Sequence, residues 1–401
     1  MDFILYDGIE WKNLFPLTLT RPVSEIRLGL FTIKERWEKL MGEKSVDIIT
    51  QPFLSKKYSK KTKKYYKNIL LINSSFIPNE ELIQIIFSLK ENEVVFFNQK
   101  IIVIRKDFFS YEEYEKKIHL KLGNKNDYSK IYNIKKIVHI QYPWDIFINN
   151  EYVLKKDFML LTKGKKSFSL LGKNYVICKE KIFLEEDIKT NNIVLNAQFG
   201  PIYIDKKVTI REGSVIIGPV SIGKNVTLNI GSKIYGGTSI GPFCKIGGEI
   251  INSVIFSYSN KVHDGFLGNA ILGEWCNLGA GTNISNLRND YRKVTVWNYE
   301  KKDFFPVDIL FFGIIMGDHS KSAINTQFNT ATMIGVNSSI FGFGFPPRFI
   351  PSFSLGGIQN REKIPFDHIC KTAEIAMDRR NVNFSILDRN ILEYLYNSLD
   401  I

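Results

Sequence analysis

The sequence predicts an α/β unit followed by a parallel β-helix with a helical carboxyl end, and three observations carry that prediction. Short apolar runs alternate with amphipathic stretches over residues 1 to about 150. Residues 202–250 place an aliphatic side chain at every sixth position, and from Arg361 the periodicity turns helical.

In the first part, Phe3–Tyr6 reads as a strand, helical spacing runs through Ile26, Leu30, Ile33 and Trp37, and residues 46–49, 69–72 and 101–104 read as further strands. Asn79-Glu80-Glu81 opens a helix with Leu82, Ile85, Ile86 and Leu89 on one face, since an Asn side chain satisfies the free N–H groups of a first turn. Strands alternating with helices imply a layered, largely parallel sheet. Pro143-Trp144-Asp145 closes this unit near residue 150, and residues 151–192 form a connector with a helical beginning.

An α-helix repeats its apolar positions near every 3.6 residues and a strand every 2, so a period of six fits neither. Ile204, Ile210, Ile216, Ile222, Leu228, Ile234, Ile240 and Ile246 hold the sixth positions, and Ile202, Val208, Ser214, Val220, Val226, Ser232, Thr238 and Cys244 stand two places earlier. Each six-residue piece makes a short strand and a corner, and three close a triangular coil of about 18 residues, stacked at about 4.8 Å. Gly218, Gly223, Gly231, Gly236, Gly241 and Gly247 recur beside the corners, where unusual backbone conformations are wanted.

The repeat spans residues 193–350. It is interrupted at 252–265, resumes at Phe266, Leu272, Leu278 and Ile284, breaks again at 286 to about 312, and ends on Met316, Phe328, Ile334 and Ile340, with Ser322 as the exception. Loops extruded from a rigid scaffold are where chemistry is usually placed. Residues 361–401 are expected to form two helices that cap the open end and hide its last edge.

An apolar fraction of 44% and a charged fraction of 24% fit a soluble globular protein. The first residues lack the basic flank and apolar core of a signal peptide, and the apolar run 304–316 is broken by Pro306 and Asp308, so a cytoplasmic protein without a membrane partner is expected. Cys178, Cys244, Cys276 and Cys370 have no metal-ligand spacing and read as packed, reduced thiols, with no metal site among them. The net charge of +13 suits a nucleotide, coenzyme A or a sugar phosphate, but much of it sits in runs such as Lys56-Lys57 and 60–64, and no nucleic-acid module accompanies it.

Pro16-Leu17-Thr18-Leu19-Thr20-Arg21-Pro22 resembles the PLTxTRPKP segment of sugar-1-phosphate nucleotidyltransferases, which implies nucleotide binding near Thr20 and Arg21. In that family the segment follows a glycine-rich turn whose N–H groups and a cation hold phosphates. Here Gly8 is the only glycine of the turn, Val23-Ser24 replace the lysine, and Asn73 falls where the family has a metal-binding Asp. Uridylyl transfer with UTP and Mg²⁺, or a domain kept for binding or scaffolding, both remain open.

Ser259-Asn260-Lys261-Val262-His263, with Phe266-Leu267-Gly268, then Asn277-Leu278-Gly279-Ala280-Gly281-Thr282, then Asn286-Leu287-Arg288, is similar to the SKxxHxxYLGD, NxGAGT and following Asn of another family. That family is the bifunctional N-acetylglucosamine-1-phosphate uridylyltransferase and glucosamine-1-phosphate acetyltransferase. The resemblance implies a left-handed β-helix, a homotrimer with acetyl-CoA between adjacent β-helices, and acetyl transfer to an amino-sugar 1-phosphate. It assigns His263 as catalytic base, Asn277 and Asn286 as substrate-orienting groups and Ala280 as a backbone contact to the thioester.

Phe266 and Leu287 replace family tyrosines and Ile251 falls near the family's phosphate lysine, leaving Lys233 and Lys261 as phosphate contacts. His319 lies on a hexad face and could meet coenzyme A or a neighbouring subunit, while His119, His139 and His368 read as structural. The loop with Tyr291, Trp297 and Tyr299 lies either over coenzyme A or against a coil. Two alternatives to acetyl transfer stay open: a silent sugar-nucleotide sensor or scaffold, and a nucleotidyltransferase with a structural β-helix.

Overall fold

The computed structural model describes residues 2–60, 64–110, 128–357 and 359–399, so His119 and part of the 60–64 lysine run lie outside the described residues. The chain forms two compact units. One comprises Met1–Trp11, Arg21–Ile26 and Phe31–Gln141, the other Lys12–Thr20, Arg27–Leu30 and Tyr142–Ile401.

In the first unit six strands lie in the order Asp47–Ile49, Phe3–Tyr6, Tyr65–Asn73, Lys100–Ser110, Glu93–Phe97, Lys130–Asn133. The first three are mutually parallel, as expected. The sheet as a whole is mixed, because Glu93–Phe97 and Lys100–Ser110 form an antiparallel hairpin. Its turn puts Asn98 at φ 45° and Gln99 at φ 64°, a left-handed pair that Asn tolerates better than most residues. The helix anticipated from Ile26 begins only at Ile33, because Thr32 and Glu35 form a reciprocal cap. The Asn79 cap is as expected, its side chain accepting from the Leu82 N–H at 2.8 Å.

The second unit is a parallel β-helix. Three columns of short strands run along it, one of nine strands from Ile182–Leu184 to Phe349–Ile350, one of ten that starts at Lys189–Thr190, and one that starts at Tyr175–Ile177. The first coil is therefore earlier than the hexads indicate, since Tyr175–Ile177 already pairs in register with Val194–Asn196. A continuous apolar core runs from Ile182 to Ile350, and every residue of both six-periodic sets in 202–246 is buried in it or beside it.

Residues 252–265 do not interrupt the solenoid, because Val254–Ile255 and Asn260–Lys261 continue two of its columns. The periodicity is lost there because corners shorten. Four residues separate Thr227–Leu228 from Lys233–Ile234, but only two, Gly247 and Gly248, separate Lys245–Ile246 from Glu249–Ile251. The inward positions shift accordingly: Leu267, fully buried, fills the core and Phe266 faces outward.

One edge carries Lys207, Asn225, Phe243, Tyr258, Trp275, His319, Asn337 and Phe353, all with φ between 52° and 64°. Left-handed corners here are thus held by residues with side chains. Gly223 precedes one of these corners, and its requirement is space: a Cβ there would stand 2.8 Å from the Pro242 nitrogen of the next coil.

Helix Trp144–Thr162 belongs to this unit. Its Asn150 is fully buried, accepts from the Gly29 N–H at 2.6 Å and donates to the Gly237 carbonyl at 2.7 Å and the Ser239 hydroxyl at 3.0 Å. Asp157 accepts from the Leu30 N–H at 2.9 Å. The second loop, 286–312, contains an antiparallel hairpin of Thr295–Asn298 and Asp303–Pro306, and Trp297 stacks on Phe349 of a coil at 4.1 Å.

The carboxyl end forms the two expected helices and adds a strand before them. Arg361–Lys363 covers the last edge as an antiparallel strand on Ser354–Gly357. Helix Phe366–Asp378 runs back along the flank, since Arg380 just beyond it donates to the Phe243 carbonyl and the Asn260 side chain. Helix Ile386–Ser398 returns, with Tyr396 against Phe353 of the terminal coil. No helix among the described residues is long and apolar enough to cross a membrane.

Asn150→Ala leaves the Gly29 N–H and the Gly237 carbonyl buried without that side chain, each worth about 1–3 kcal/mol. The expected loss in denaturant unfolding is about 2–4 kcal/mol; a loss below about 1 kcal/mol contradicts the assignment.

Candidate functional site

The His263 corner, residues 262–265, joins Asn260–Lys261 to Phe266–Gly268. His263 and Asp264 are exposed. The corner above it contains Ala280 and Gly281, and the Gly281 N–H donates to the Asp264 carbonyl at 3.1 Å, so His263 and Ala280 occupy successive storeys of one edge. Asn277 stands on the adjoining face, directly over Asn260, whose side-chain amide donates to the Asn277 Oδ1 at 3.3 Å. Arg380 in turn donates to Asn260 at 2.7 Å, which fixes the amide orientation from the carboxyl-terminal helices. Asn286 lies beyond the other face, donates to Asn269 at 2.8 Å and closes over Gly268 beside the Phe266 ring.

Three of the predicted residues, His263, Ala280 and Asn277, therefore gather around one edge of two adjacent coils, while Asn286 stands at the far end of the Phe266–Gly268 strand, beside Asn269. Lys233 is exposed on the face carrying Phe266, two storeys below it through Glu249. His319 sits on the opposite edge of the Asn277 face, 6.1 Å from Trp275 in a column with Tyr258 and Phe243. Lys261 is not a surface phosphate contact: it is 1% exposed and points inside the coil. Hexad counting missed this because the shortened corners had moved the inward phase onto residue 261.

The edge offers an exposed imidazole, backbone groups on the storey above and amides on both flanks, which suits proton removal beside a stabilised oxyanion. The cysteines offer no alternative nucleophile here: Cys244 is buried and burial pushes its thiol up to about 12, and burial raises Cys276 as well.

In the first unit, Asp7 and Thr50 follow the carboxyl ends of two parallel strands and Asn73 ends a third, the place where open sheets bind ligands. Asp7 accepts from the Val23 N–H at 2.9 Å and the Thr50 hydroxyl at 2.6 Å, and burial pushes its carboxyl up to about 7. Burial alone would also raise Glu10, but hydrogen bonds from His139 at 3.0 Å and Lys100 at 2.9 Å bring it down to about 2. His139 stacks on Phe76 at 4.2 Å.

Arg21 is buried, and Thr20, in the second unit, donates to the Asp318 carboxylate at 2.6 Å. Asn73 accepts from Ser75. Carboxylates thus take up a loop N–H and the nearby cations, and among the described residues no group of three or more His, Cys, Asp or Glu could hold a metal.

Residues 3–166 match a family described as sugar nucleotidyl transferase. The chain is 37% identical over 92 residues to the Bifunctional protein GlmU of Methanococcus aeolicus, covering 23% of this chain and 22% of that protein. To the protein of the same name from Methanocaldococcus jannaschii it is 36% identical over 89 residues, 22% of this chain and 21% of the other. The chain thus matches about a fifth of the length of these curated relatives. Among solved structures, the polySia specific acetyltransferase NeuO aligns over 49% of this chain and 87% of its own at 15% identity and TM-score 0.29. The UDP-N-acetylglucosamine acyltransferase from Campylobacter jejuni aligns over 56% and 96% at 14% identity and TM-score 0.18. The chain is similar to sugar nucleotidyl transferases over residues 3–166 and, along a shorter stretch, to the bifunctional GlmU proteins.

Proposed function

We propose that the β-helix transfers the acetyl group of acetyl-CoA to the amine of an amino-sugar 1-phosphate, with glucosamine 1-phosphate as the acceptor. The observation that carries this reading is the exposed His263 on a corner stacked beneath Ala280, with Asn277 and Asn286 on the flanking faces. His263 takes a proton from the sugar's ammonium, and the freed amine attacks the thioester carbonyl. The C–N bond forms as the carbonyl becomes an oxyanion, which the Ala280 backbone N–H stabilises. Collapse breaks the C–S bond, and the leaving thiolate and the departing amine proton yield free coenzyme A. Asn277 and Asn286 orient the sugar and the acetyl group. A homotrimer with acetyl-CoA between neighbouring β-helices, and a contact from His319, complete the proposal. Sugar-nucleotide binding by the first unit is a second reading, favoured by the family match over residues 3–166.

Thiol release from acetyl-CoA, measured with glucosamine 1-phosphate supplied and omitted, tests the reaction. Release is expected only with the sugar, and His263→Ala is expected to lower kcat by roughly a hundredfold or more. Full activity in that variant removes His263 as base, and no release with any amino-sugar phosphate removes the reading.

Asp7 gives the first unit a pH signature. Its carboxyl titrates near 7 in the folded state against 3.8 ordinarily, so between these values the native state holds the extra proton. Its contribution to stability is present at pH 4 and lost as pH rises towards 7. Glu10, lowered to about 2, contributes no slope above pH 5. Asp7→Asn is therefore expected to gain stability over wild type between pH 5 and 7 in denaturant unfolding; an equal offset at both pH values contradicts the burial of this carboxyl.

A further inference from the structure

One interior column of the solenoid reads Ile210, Leu228, Ile246, Lys261, with Leu278, Ser322 and Ile340 above. Lysine is the single charged member, and it is 1% exposed. An ammonium withdrawn from water costs several kcal/mol unless it is well bonded. Here it donates to the carbonyl oxygen of His263.

The path it takes exists because of the shortened corner beneath. At Gly248, whose φ of +72° favours glycine, a Cβ would stand 2.8 Å from the Lys261 Nζ and 2.8 Å from the His263 carbonyl oxygen. At Gly247 a Cβ would collide with the Val262 carbonyl, which also accepts from Asn229 at 3.3 Å. Two glycines and the loss of two residues thus leave a recess that the lysine crosses from inside. Its neighbours in the column are apolar, and Asp264 is the charged group that favours its protonated form while burial lowers it to about 8.

We propose that Lys261 is a positioning residue, which reaches from the interior of the solenoid to the carbonyl of His263 and holds the corner that presents the imidazole. The proposal rests on His263 being the base of the acetyl transfer. A charge at this place is not needed for the coil itself, because an aliphatic residue fills the same column at Leu228, Ile246 and Leu278.

Lys261→Met tests this, with two readouts besides stability. Replacing a buried ion by an apolar side chain of similar length is often neutral or stabilising, so Tm is expected to hold or rise. The kcat for acetyl transfer is expected to fall at least tenfold with KM for acetyl-CoA within twofold, and amide hydrogen exchange over residues 262–265 to quicken at least tenfold. Lys261→Leu, matching Leu228 and Leu278, serves if the methionine variant does not fold, and failure of both to fold assigns Lys261 to core stability and overturns the proposal. Unchanged kcat, or unchanged exchange at the corner, overturns it as well. If the wild-type protein transfers no acetyl group, the acetyl-transfer reading fails by itself and the exchange measurement alone decides whether Lys261 holds the corner.

Discussion

Registration between successive coils is the constraint on which the β-helix depends. Each coil must turn at the same three edges as the one beneath, or the interior columns lose contact and the backbone ladder lapses. The molecule meets this demand even where it is awkward, placing Phe243, Tyr258 and Trp275 in left-handed backbone at one edge and stacking their rings at 4.9 Å and 4.2 Å. The same demand shapes the candidate site. A corner short of two residues is followed by one of full length, and the mismatch is absorbed locally, by Gly247, Gly248 and the inward Lys261. The irregularity lies directly beneath His263.

The first unit obeys a different constraint. The carboxyl ends of its parallel strands bring backbone N–H groups and cations together, and such a place attracts negative charge. In this chain the charge comes from its own Asp7 and Glu10, bonded to the Val23 N–H, Lys100 and His139. Part of the nucleotidyltransferase-like segment, Lys12–Thr20, belongs to the β-helical unit, where Thr20 bonds Asp318.

Most of the fold was legible in the sequence because side-chain periodicity is a direct record of which way each residue points. Ile204 to Ile246, and later Met316 to Ile340, lie inside as their spacing says. Periodicity fails where length changes, so the spacing points Phe266 inward in place of Leu267 and leaves Lys261 among the surface cations, whereas Leu267 and Lys261 are the buried pair. The 93–110 hairpin was missed because its turn, Asn98-Gln99, carries no glycine. The flanking course of the last helices was out of reach, since the bonds from Arg380 to Phe243 and Asn260 span more than a hundred residues. The grouping of His263, Asn277, Ala280 and Asn286 was legible through their motif spacing; the Asn260–Arg380 support behind Asn277 was not.

The acetyl transfer proposed at the His263 edge is direct, without an acylated protein. Mass analysis of both protein and sugar after mixing with acetyl-CoA and glucosamine 1-phosphate distinguishes it from a two-step route. Direct transfer gives a sugar phosphate heavier by one acetyl group and a protein of unchanged mass at every time point. An acetylated protein that forms and decays as product appears, or a sugar phosphate that stays unmodified, would contradict it.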